Sequence, residues 1–150
     1  MNTSPDPGGL IREYLRDHVP EIANGIVEIM STARELGFRS MVAVRSHNGA
    51  VDPVGACAGI RGARLKEFHI KFPGEFIDII RWEESPKKFI LNALAPLSGY
   101  AAGEKVELDK EHNACLTLAP AAYQNLSDKD RRKAMLTSKL VGWDIKFTSA

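Results

Sequence analysis

Two cysteines in a chain of 150 residues are too few for a disulfide framework, and Cys57 and Cys115 lack the paired spacing of a zinc site. Each falls in an apolar stretch, so both are expected to be buried thiols. No run reaches the roughly 18 consecutive apolar residues that cross a bilayer, and the N-terminus has no basic-then-apolar signal pattern. These absences point to a reducing cytoplasm and away from membranes. Charge excess is missing as well: 20 basic and 19 acidic residues leave a net charge of +1. No general cationic field announces a nucleic-acid partner, and any anion site has to be local. The four histidines, His18, His47, His69 and His112, form no recognisable catalytic set with the cysteines or the scattered carboxylates. The expectation is therefore no enzyme, no catalytic or metal site, no cofactor and no small-molecule substrate. Aromatic residues make up only 7% of the chain, and Phe68, Phe72, Phe76, Trp82 and Trp143 have the spacing of core residues rather than a base-stacking platform. The two tryptophans are expected at equivalent ends of two sheets.

What the chain does have is enough apolar surface, at 44% hydrophobic residues, for one core or two small ones. Residues 1–9 are polar and rich in Pro and Gly, a flexible lead. Leu10, Ile11, Tyr14, Leu15 and Val19 recur at helical spacing, and Pro20 stops that helix. Ile26–Ser31 and Met41–Arg45 have the pattern of strands joined around Gly37. Two helices follow, over Val51–Ala58 and from Ala63 to about Lys71, then a strand over Phe76–Trp82. Ser85 and Pro86 open a helix whose apolar face is Phe89, Ile90, Ala93, Leu94 and Leu97. Lys105–Leu108 and Ala114–Leu118 alternate as strands. Helices from Pro120 to about Leu126 and from Asp128 to Gly142 precede a strand over Trp143–Phe147. The order α-β-β-α-α-β occurs twice, which makes the fold class α+β with two three-stranded sheets, each carrying helices on one face.

Gly59-Ile60-Arg61-Gly62 stands between the two helices of the first repeat. A bare G-x-x-G is expected about 0.7 times by chance in a chain of this length, so the four letters decide nothing. Their surroundings do. Asp52 and Pro53 are a cap and a first helical residue for the helix before the turn. Glycine at both ends permits positive φ and close backbone approach. The N-terminus of the following helix favours an anion, and Arg61 and Arg64 offer forked donors suited to phosphate. From Arg45 to Lys71 five Lys or Arg side chains face two acidic ones, a local net charge of +3. Arg61 leads the candidate nucleic-acid contacts because it lies inside the turn, with Gly59, Ile60 and Gly62 around it and Arg64, Lys66 and Arg45 as weaker members. Ile60 either supports a base or packs inward.

A capped short helix, G-x-x-G and a basic helix between strands resemble the nucleotide-clamping loop of KH domains. More specifically, Val51-Asp52-Pro53-Val54-Gly55-Ala56-Cys57, Gly59-x-Arg61-Gly62-x-Arg64, Ile77-Asp78-Ile79-x-Arg81-Trp82 and Asn92-Ala93-Leu94-Ala95-Pro96 resemble the tandem KH region of the NusA family of bacterial transcription elongation and termination factors. So do Val19-Pro20-Glu21-Ile22, Gly25–Ile29 and Ser138-Lys139-Leu140-x-Gly142-Trp143. The resemblance runs from about Leu10 to the end. It implies two tandem type II KH domains, at residues 10–83 and 84–150, that bind single-stranded RNA during transcription elongation, termination or antitermination. Members of that family also carry a polymerase-binding domain and an S1 domain. Neither fits before Leu10, which leaves a fragment and a natural short relative both open.

The second repeat departs from the pattern, with Asp128-Lys129-Asp130-Arg131 where its own G-x-x-G is expected. Two carboxylates there repel phosphate, and Ser127 or Asp128 has the character of a helix cap. The second domain is then degenerate at this turn and structural, or offers a face to protein. The rival to RNA binding is accordingly a scaffold that docks on RNA polymerase or other transcription factors with weak RNA contact. For RNA, the expected groove lies between the helix from Val51 and the strand from Met41.

Overall fold

The computed structural model describes residues 7–95 and 101–150, and the chain divides into two units, Met1–Trp82 and Glu83–Ala150. In the first, α1 (Pro7–His18) buries Ile11, Tyr14 and Leu15 while Leu10 stays 46% exposed, so the apolar stripe is narrower than its sequence pattern. Pro20 does more than end this helix. Val19 is extended, and Pro20 opens a one-turn helix, α2 (Pro20–Ala23), with the fixed φ that suits a first helical position.

Strands β1 (Val27–Glu35) and β2 (Arg39–Ser46) are longer than expected and pair antiparallel around Gly37, whose φ is 77°. The chain then crosses over through α3 (Pro53–Ala58), a short turn and α4 (Ala63–Lys71). It returns as β3 (Phe76–Arg81), parallel to β2, and the sheet order is β1-β2-β3. A parallel neighbour requires such a crossover, and the two-helix connection supplies it. The central position of β2 explains its composition: Ser40 to Val44 are all buried. Val42 and Val44 join Ile11, Tyr14, Leu15, Val19, Val27, Cys57 and Phe68 in one cluster beneath the helices. Arg34 and Glu75 tie the end of β1 to the start of β3 through paired hydrogen bonds of 2.9 and 2.8 Å.

The second unit repeats the plan with α5 (Pro86–Leu94), β4 (Ala101–Leu108), β5 (Asn113–Leu118), α6 (Pro120–Gln124), α7 (Asp128–Val141) and β6 (Asp144–Ser149). Its sheet order is β4-β5-β6, with β5 and β6 parallel. Ser85 caps α5. The helix ends at Leu94 because Ala95, the residue before Pro96, is extended, and Leu97 lies outside the described residues. Ala114, Leu116 and Leu118 point into a core with Ile90, Leu94, Val106 and Ala134.

Three expectations are corrected here. Cys115 alternates with those inward residues and is only half-buried, because successive strand side chains point to opposite faces. Trp82 follows the end of β3 whereas Trp143 precedes the start of β6, so the two rings sit at opposite strand ends. Phe76 is 46% exposed, with the Arg39 guanidinium 5.1 Å from its ring centre, and is not a core residue.

Candidate nucleic-acid interface

The Asp52 carboxylate accepts from the Val54 amide at 3.2 Å and starts α3, with Pro53 at the first helical position. The helix ends on Gly59, whose N–H donates to Gly55 O at 2.9 Å. Gly59 has φ 76° and ψ 173°, a region open essentially to glycine alone. Space demands glycine as well, since a Cβ at this position would lie 2.8 Å from Arg64 Cγ and 3.1 Å from Arg64 N. Gly62 is left-handed at φ 72° and ψ 20°, and a Cβ there would meet nothing within 4 Å. The first glycine lets the chain fold tightly on itself; the second faces open space.

Between them, Arg61 is also left-handed at φ 55° and ψ 29°. For a non-glycine residue this costs about 1–2 kcal/mol, a backbone strain concentrated at the tip of the turn. Its side chain is exposed and makes no hydrogen bond or ion pair among the described residues. Ile60 is 86% exposed, which excludes the inward-packing alternative and presents an apolar side chain to solvent beside a guanidinium. The helix that follows, α4, has no side-chain cap, so no protein side chain is seated on its first amides. Lys66 lies exposed one turn into α4. Donors, a positive helix end and an exposed cation thus meet at a surface lacking a competing carboxylate in the turn itself.

Two candidates are occupied elsewhere. The Arg64 Nη1 donates to Glu21 Oε1 at 3.2 Å and to Ala56 O, which draws the guanidinium back over the end of α3. The Arg45 guanidinium lies over the Trp82 ring, 5.1 Å from its centre. Glu21 was invisible as a site residue because its partner is 43 positions away and no local spacing links them. Cys57 sits in the last turn of α3, fully buried. Burial pushes its thiol up to about 12 against the pull of Arg64, with Glu21 and Asp52 adding to the rise. It is a packing residue and not a nucleophile.

The strand expected beside the groove is enclosed: β2 is central, paired on both edges and buried from Ser40 to Val44. The free edge on that side belongs to β3, which packs beside α3, and the Arg81 Nη2 to Asp52 Oδ1 contact of 2.6 Å spans the two.

In the second unit the connection between α6 and α7 is Asn125, Leu126 and Ser127, while Asp128 to Arg131 form the first turn of α7. Where G-x-x-G is expected, Asp128 to Arg131 are thus helical and contain no glycine. Ser127 Oγ accepts from Asp130 N and the Asp130 carboxylate accepts from Ser127 N, both at 3.0 Å. This reciprocal capping box occupies the amides that an anion would need.

Residues 7–82 match the family described as NusA-like first KH domain. The chain is 43% identical over 142 residues to the transcription termination/antitermination protein NusA of Thermus thermophilus. It is 39% and 37% identical over the same length to the proteins of that name from Halalkalibacterium halodurans and Bacillus subtilis. Each match covers 94% of this chain but only 36 or 37% of the relative, so the chain spans little more than a third of their length. Among solved structures, the crystal structure of APE1850 is similar in fold, with a TM-score of 0.55 at 16% identity, over 92% of this chain and 96% of that one.

Proposed function

The chain belongs to the NusA-like KH family, and from that membership we propose that it binds single-stranded RNA in transcription termination or antitermination, in the bacterial cytoplasm. The observation that carries the proposal is the turn Gly59–Gly62, with three positive-φ residues, an exposed Arg61 and a helix without a side-chain cap behind it. Backbone amides and the Arg61 guanidinium take one or two phosphates. Ile60 offers an apolar contact to the adjoining sugar or base. The bases then extend along α3 toward the free edge of β3, where outward backbone groups can read them. Arg64 acts by holding α3 and α4 in place around Gly59, and Lys66 adds charge from the side. RNA polymerase or another transcription factor is the assembly in which this hold on RNA has its effect.

Fluorescence anisotropy with short single-stranded RNAs at two salt concentrations tests the reading, comparing the natural chain with Ile60→Asp/Arg61→Asp. Both glycines remain, so circular dichroism should be unchanged. Losing a charge-assisted contact worth about 1.5–3 kcal/mol predicts a loss of affinity of about tenfold or more. The salt slope should fall by about 0.7 for each phosphate contact removed. Equal binding by both proteins, or none by either, would refute the assignment.

A further inference from the structure

The second unit has closed its own phosphate turn, yet it keeps an open groove of about 540 Å³ between α7 and the outer edge of β6. Arg131, Met135 and Lys139 recur at intervals of four along α7 and form one stripe beside it. Met135 is 69% exposed, and the exposed side chains of Arg131 and Lys139 make no hydrogen bond or ion pair among the described residues. From β6, Asp144 and Lys146 line the groove through the strand itself, their side chains alternating with the inward Ile145 and Phe147 and so directed to the other face of the sheet.

The edge itself is partly unused. Asp144 N–H donates to His112 O and Ala150 N–H to Leu118 O, so the even-numbered amides of β6 face β5. The odd-numbered ones face outward. Ile145 N–H is taken by Ser138 Oγ at 3.0 Å, which leaves Phe147 and Ser149 with outward backbone groups beside the groove. We propose that this groove binds an acidic, extended peptide segment, which pairs with the outer edge of β6 and sets its carboxylates against the α7 stripe.

The same observations argue against RNA at this place. The capping box occupies the Ser127 and Asp130 amides at the start of α7, so they are not offered to phosphate. The Phe147 side chain packs against the core, so no exposed ring is offered to a base. A free strand edge, a soft exposed methionine and unpaired cations are the elements of strand addition with charge selection.

Nuclear magnetic resonance titration of the full chain tests this with a short capped peptide alternating Glu and Val. Saturable shifts are expected at the Phe147 and Ser149 amides and the Met135 methyl. Arg131→Glu/Lys139→Glu should weaken the peptide by about tenfold or more, since both charges are exposed and face the ligand. A peptide N-methylated at alternate residues should bind far less. Ile60→Asp/Arg61→Asp should leave peptide binding unchanged, which separates this proposal from the RNA site. The proposal is overturned if no saturable shift appears, if the double charge reversal binds like the natural chain, or if a uridine oligonucleotide and not the peptide moves these signals.

Discussion

Replacing Gly59 by alanine should cost the first unit far more than replacing Gly62, although both glycines have positive φ. At Gly62 the new Cβ meets nothing within 4 Å, so only the left-handed backbone is penalised, by about 1–2 kcal/mol. At Gly59 the backbone lies in a region that side chains essentially avoid, and the Cβ also lies 2.8 Å from Arg64 Cγ and 3.1 Å from Arg64 N. The backbone penalty alone is about 1–3 kcal/mol, and the contacts bring the expected total to about 3 kcal/mol or more. Urea denaturation in a Trp143→Phe background, followed by Trp82 fluorescence, reads the first unit. A difference of about 2 kcal/mol between the two variants corresponds to a midpoint gap of about 1 M urea. Adding Arg64→Ala removes the Cγ obstacle but leaves the backbone nitrogen, so the double-mutant cycle should show partial rescue and not full rescue. Equal midpoints for Gly59→Ala and Gly62→Ala, or a cycle with no coupling, would refute the claim that Arg64 packs against this glycine.

Thiol labelling of the native chain should modify Cys115 well before Cys57, whose fully buried sulfur becomes reactive only on unfolding; equal rates would contradict the burial of Cys57. Hydrogen bonds from Arg34 hold the Glu75 carboxyl below its usual value of 4.5. That contribution is complete above the usual value and is lost as pH falls through the lowered one, so Glu75→Gln should flatten the acid side of a stability–pH profile. An unchanged slope in Glu75→Gln would show that the pair does not drive it. Ser127→Ala breaks the capping box of α7 and should destabilise the second unit by about 1 kcal/mol without altering RNA affinity. Any gain in RNA binding by that variant would mean the cap had been masking a phosphate site.

The amino-acid sequence by itself determined the local decisions. Asp52 with Pro53, Ser85 with Pro86, Ser127 with Asp130, and Gly142 start and stop their helices through bonds that reach only a few residues, so spacing suffices to find them. The repeated element order and the isolated G-x-x-G turn were legible for the same reason. Strand lengths were underestimated, because β1 is continued by its pairing with β2 rather than by its own alternation. Tertiary structure alone decided which strand is central, since β2 and β3 become parallel neighbours only once the crossover helices pack. That placement left β3, and not β2, as the edge strand beside α3. It also brought Arg64 to Glu21, set Arg45 on Trp82, and sent Cys115 to the face opposite the core. Each of these depends on side chains distant in the chain meeting in space, and no local pattern carries that information.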